Sequence, residues 1–130
     1  FFKPFADTFG FFAADEVIVQ TGALLGQLAG ESSGFAGHFG GDDFVLIAEP
    51  DAAPELAARA TQQFLLIVKR AVGPEHAARG YFTGLSRDGQ PQEFPLACLT
   101  AVIVPVEKSS WVSLSHLGEA AATWKKAAKA

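Results

Sequence analysis

Between the apolar runs Phe35–Phe39 and Phe44–Ala48 stand two glycines and two aspartates, Gly40-Gly41-Asp42-Asp43. Glycine supplies the positive φ that tight hairpin turns require, so the segment predicts strand, turn, strand with the acids at the tip. Adjacent carboxylates repel each other. A divalent cation or a cationic ligand that neutralised them would account for their placement, and a solvated polar turn is the plainer alternative.

Helical periodicity surrounds this hairpin. Val17, Thr21, Leu24, Leu25 and Leu28 fall at the spacing of one helix face, with Asp15 and Glu16 in the first turn, where carboxylates suit the helix dipole. Leu56, Ala60, Phe64, Ile67 and Val68 mark a second helix, opened by Pro54 and stopped after about Val72 by Gly73-Pro74. Leu117 to Ala130 is alanine-rich, with lysines near its C-terminal end, and predicts a third.

The strand signals lie elsewhere. Phe1 to Phe5 reads as the tail of a strand entering a turn at Pro4, followed by a short irregular or helical turn closed at Gly10. Gly80 to Ser86 is a strand, Arg87-Asp88-Gly89 a turn, and the nearly continuous apolar run from Phe94 to Val106 a strand buried on both faces. Cys98, the single cysteine, is expected there as a buried, inert thiol. The order is strand, helix, hairpin, helix, strands, helix. It predicts an α/β sandwich with one mixed central sheet flanked by helices.

Size and charge narrow the class further. A chain of 130 residues fits one domain with a real core. A net charge of -4 argues against a general nucleic-acid surface, because only Lys125, Lys126 and Lys129 cluster. No apolar run reaches the ~18 residues of a membrane span and no leader pattern opens the chain, so a cytoplasmic location is expected. The chain begins with Phe1 inside an apolar stretch, so residues 1–130 are expected to be an N-terminally truncated domain of a longer regulatory protein.

Three motifs, in order, resemble the GGDEF domain of diguanylate cyclases, which join two GTP molecules into cyclic di-GMP. Phe2-Lys3-Pro4-Phe5-Ala6-Asp7 through Ala14-Asp15 follows the second half of the family's opening segment, D-x-D-x-F-K-x-[IVF]-N-D-x-x-G-H-x-x-G-D. Gly40-Gly41-Asp42-Asp43-Phe44 occupies the signature hairpin, and Glu119 to Lys125 sits where the family has E-A-L-Y-x-A-K. The resemblance implies a nucleotide-cyclase-like α/β fold and metal-assisted nucleotidyl transfer between two domains meeting face to face.

It also assigns residues. Asp42 and Asp43 become the catalytic carboxylates, Asp42 the ligand of Mg2+, and the family's other metal-binding Asp would lie before Phe1. Lys3 and the backbone of Phe1 and Phe2 match phosphate-binding positions, Asp15 matches a guanine-reading Asp, and Lys125 and Lys129 match residues that grip the distal phosphates. The implied partners are GTP or a related guanine nucleotide, a second copy of the domain, and an upstream sensor, in bacterial signalling.

The departures are specific. The fourth signature residue, Glu in active members, is Asp43, one methylene shorter, which forces a metal site to readjust or weaken. The guanine-binding Asn is replaced by Ala6, the motif's His by Phe11 and its last Gly by Ala14. The inhibitory R-x-x-D positions are Glu31 and Gly34, so product inhibition by that route is expected to be absent. Together these favour a degenerate, regulatory or GTP-binding domain with little or no cyclase activity. An active cyclase and a structural dimerisation module are the alternatives.

The other candidates carry little chemistry. His38 reads as a partly exposed strand histidine, and His76 and His116 have no companion at metal-ligand spacing. Trp111 and Trp124 read as core or interface aromatics.

Overall fold

The computed structural model describes residues 2–106 and 113–129. Helices α1 (Phe2–Phe9) and α2 (Phe11–Glu31) come first, then the hairpin β1 (Phe35–Gly40) and β2 (Asp43–Ile47). The long helix α3 (Ala53–Arg79) follows, then a second hairpin, β3 (Tyr81–Leu85) and β4 (Pro91–Pro95), and finally α4 (Leu114–Lys129). The class is α/β, as the order of elements predicts.

The opening residues form a helix, not the tail of a strand. Pro4 stands in the first turn of α1, where the missing N–H costs no intrahelical bond. Phe2, Phe5 and Phe9 share one face: Phe5 is fully buried, with its ring centroid 5.7 Å from that of Phe2 and 5.0 Å from that of Phe9. Gly10, at φ 92°, turns the chain between α1 and α2 while its N–H donates to the Ala6 carbonyl at 2.9 Å.

The stripe read on α2 is the buried one. Val17, Thr21, Leu24, Leu25 and Leu28 all face inward, and the buried Thr21 hydroxyl donates to the Val17 carbonyl at 2.6 Å, so burial leaves no orphaned donor. Against it packs α3, through Leu56, Ala60, Phe64, Ile67, Val68 and Val72. The expected stop at Gly73-Pro74 is a kink. Gly73 adopts φ 81° and ψ 168°, after which Pro74 starts a further helical stretch that ends where Gly80 caps it at φ 79°.

The strands pair as two antiparallel hairpins rather than one mixed sheet among the described residues. Phe35 faces Ile47 and His38 faces Phe44 in the first; Phe82 faces Phe94 in the second, and both of those rings are buried. The apolar run from Phe94 to Val106 was expected to be a strand buried on both faces. Its pairing ends at Pro95. Leu96 and Ala97 are buried, but Ile103 and Val106 are exposed and Cys98 is exposed too, which corrects the expected buried strand and buried thiol. A continuous apolar run becomes a central strand only where strands flank it on both sides, and among the described residues none does.

Phe5, Leu28, Val68 and Phe82 are the innermost side chains and join α1, α2, α3 and β3 into one core. Among the described residues, no helix is long and apolar enough to cross a membrane.

Candidate functional site

The signature hairpin packs on α2 and is braced by its own side chains. Phe44 reaches toward α2, where its Cε1 lies 3.7 Å from the place a Cβ would take at Gly22. The His38 ring stacks on Phe44 with centroids 4.5 Å apart and an interplanar angle of 17°. His38 Nε2 lies 3.0 Å from the Gly41 carbonyl oxygen, which can only accept, so Nε2 carries the proton and donates across the turn. Gly40 and Gly41 take φ of 119° and 58°, which only glycine adopts freely.

The two carboxylates at the tip part company. Asp42 is exposed in the turn, whereas Asp43 opens β2 and is partly buried. The Lys125 ammonium on α4 bonds the Asp43 Oδ1, a contact between residues 82 apart in the sequence. The carboxylate and the cation that the resemblance assigned to separate tasks are thus bonded to one another. Among the described residues no three or more His, Cys, Asp or Glu side chains are gathered to hold a metal ion. The residues present therefore do not fit a Mg2+ centre by themselves.

The remaining predicted residues are dispersed along α1 and α2. Lys3 is strongly exposed and pairs with Asp7 on the next turn at 2.8 Å, an exposed pair that contributes at most about 1 kcal/mol. Phe2 is half-buried against Phe5, and the first turn of any helix carries N–H groups without intrahelical acceptors. Asp15 is exposed on α2, and Ala6 is half-buried against the core. Phe1 and Trp111 lie outside the described residues, as does the side chain of Lys129.

In the Glu31 to Gly34 segment Glu31 is tied to neighbouring side chains while keeping 42% of its side-chain exposure. Arg59 of α3 donates to Glu31 at 2.6 Å and Gln27 donates to it at 3.1 Å. The Arg59 hydrogen bond, helped by Gln27, holds the Glu31 carboxyl below the usual glutamate range. A depressed pKa means that this tie is complete above the ordinary glutamate value and is lost as pH falls through the lowered one. At Gly34 a Cβ would collide with the Ile47 carbonyl oxygen, so backbone approach, not merely sequence drift, excludes the family's aspartate there.

Two outcomes follow from that approach. Gly34→Asp should destabilise the fold by about 1–3 kcal/mol in a urea titration. Cyclic di-GMP should show no tight, stoichiometric binding by calorimetry, and a tight site abolished by Glu31→Ala would contradict this account.

Sequence reasoning had both halves of the Lys125–Asp43 pair but not the pairing, and it missed Arg59 as the partner of Glu31. Opposite charges on distant elements carry no local signal. Only the tertiary fold, which sets Lys125 beside the hairpin and Arg59 beside the end of α2, brings them together.

Helices on a common core with a glycine-turned, acid-tipped hairpin make an α/β domain. A family model described as diguanylate cyclase, GGDEF domain, matches residues 1–80, from α1 to the end of α3. The chain belongs to the GGDEF family, whose setting is cyclic di-GMP signalling. No curated protein and no solved structure matches it. The matched span includes Lys3, Ala6, Asp15 and the signature hairpin, whereas α4 with Lys125 lies beyond it.

Proposed function

We propose that this is a degenerate GGDEF domain that binds guanine nucleotide weakly and acts as a regulatory module of bacterial cyclic di-GMP signalling, with little or no cyclase activity. The observation that carries this reading is the Lys125–Asp43 bond: the carboxylate needed for chemistry is already neutralised by the lysine needed for phosphate. Ala6 adds to it. A methyl group on α1 stands where a guanine edge would need an amide, and an unpaired ligand group costs about 1–3 kcal/mol.

What binding survives rests on the phosphates. The exposed Lys3, Asp15 and Asp42 are open to a ligand. A slow cyclase is the second reading, favoured by the exposure of Asp42 and Asp15. In either case a second copy and an upstream sensor are the partners that would make the module useful.

Calorimetric titration of the full-length protein with GTP and with ATP, each with Mg2+, tests the nucleotide reading. Both should bind in roughly the micromolar to millimolar range, with less than about tenfold preference for GTP. Failure of GTP to bind at millimolar concentration would leave the domain a structural module.

A further inference from the structure

The geometry points to the outer groove between α2 and α3 as a surface that pairs with a second copy of this chain, α2 of one protomer lying over α3 of its partner. None of its residues belongs to the signature hairpin, and the inference does not rest on nucleotide binding. Phe12, Glu16 and Gln20 of α2 stand on one side of a hollow of about 270 Å³ and Arg70 of α3 on the other, above the buried Val17 and Ile67. Arg70 also borders a second hollow of about 410 Å³ along α3, with Leu66, Lys69 and Pro74, where Gly73 kinks the helix. The apolar side chains here have no cover. Phe12 and Val19, two turns apart on α2, are 85% and 65% exposed, and Leu66 on α3 is 51% exposed. Neighbouring apolar groups with a charged rim mark a surface that meets another protein.

The charges choose the partner. Lys3, Arg59, Arg79 and Lys125 each pair with an acid, whereas Lys69 and Arg70 have no ion-pair partner among the described residues. Across the groove Glu16 accepts from Gln20 at 2.8 Å and pairs with no described cation. The α2 wall is thus acidic and the α3 wall basic. An acidic partner would be repelled along α2 and a basic one along α3. A copy turned about a two-fold axis sets base against acid at both walls, so that Glu16 of each protomer meets the partner's Arg70. So small a contact makes a weak dimer, with a Kd of roughly 10–100 μM, and dilute protein stays monomeric.

Disulfide trapping in the full-length protein tests this, with the exposed Cys98 replaced by serine and two differently tagged chains co-expressed, one Glu16→Cys and the other Arg70→Cys. Glu16 and Arg70 are both exposed, so neither cysteine disturbs the core. Oxidation at about 100 μM protein should give the mixed dimer as the main cross-linked species, about tenfold over the pairing of Arg70→Cys with Gln92→Cys, an exposed site on β4. The two-fold axis leaves the second Glu16–Arg70 contact of that mixed dimer intact, and this gives the charge test. Adding Arg70→Glu to the Glu16→Cys chain should lower trapping roughly three- to tenfold, and adding Glu16→Arg to the Arg70→Cys chain should then restore it. Phe12→Ala in both chains should lower trapping as well, while leaving the folding of dilute protein unchanged. A mixed dimer no more abundant than the Gln92→Cys control would overturn the inference and leave the groove to a different partner. Cross-links chiefly between two Glu16→Cys chains would overturn it too, as would a loss on Arg70→Glu that Glu16→Arg does not repair. A protein that binds no GTP but gives the mixed dimer would refute the nucleotide reading and keep this one.

Discussion

Phe5→Ala is expected to cost about 3–5 kcal/mol of folding stability, measured as the shift in urea midpoint at unchanged slope. Phe5 has no exposed surface, and its ring meets Phe2, Phe9 and Phe82, the last edge-on at 6.5 Å. Removing it opens a cavity where α1, β3 and the α2–α3 layer meet. A domain with the usual stability of about 5–15 kcal/mol would survive only marginally. The exposed neighbour Phe12, 85% accessible, serves as the control, since Phe12→Ala should stay within about 0.5 kcal/mol. A loss below about 1 kcal/mol for Phe5→Ala would mean that α1 is not docked on the core. The consequence reaches the site, because Lys3 and Ala6 lie on the same helix.

Ala6→Asn should tighten GTP by roughly ten- to hundredfold while leaving ATP almost unchanged. The backbone at this position is already held by the hydrogen bond from the Gly10 N–H, so the substitution alters the side chain on a fixed frame. Asparagine within α1 costs about 0.5 kcal/mol in helix propensity, and at this half-buried position its larger side chain adds to that cost. The added amide offers both a donor and an acceptor to a guanine edge, whereas adenine presents the opposite pattern. An equal change in GTP and ATP affinity would mean that α1 does not line a base pocket.

Helix faces were the most legible part of this fold. The stripes on α2 and α3 each place five apolar or small residues at helical spacing, and every one is buried, because an apolar face of that width has only the core to meet. The hairpin was equally plain, since Gly40 and Gly41 dictate a turn that few other residues permit. The first helix was not. Its aromatic residues stand at helical intervals, but eight residues with a proline near the start carry no more signal for helix than for strand.

The apolar run through Leu99 and Val104 failed for a different reason. Composition marks a stretch as able to be a central strand, while the presence of neighbours decides whether it becomes one. In the site, Asp42, Asp43, Lys3, Asp15 and Lys125 could be named from motif positions. The bond between Asp43 and Lys125 joins residues 82 apart in the sequence and has no local sequence signal. Gly34 is the reverse case: an absent aspartate was visible in the sequence, and the Ile47 carbonyl beside it supplies the reason.

The most direct test of the degenerate-domain account is to incubate the full-length protein with GTP and Mg2+ and measure cyclic di-GMP by chromatography. With Asp43 bonded to Lys125 and Ala6 in place of an amide, the account predicts no product above the protein-free control. Sustained formation of cyclic di-GMP, lost on Asp42→Ala, would contradict it and establish the domain as a working cyclase.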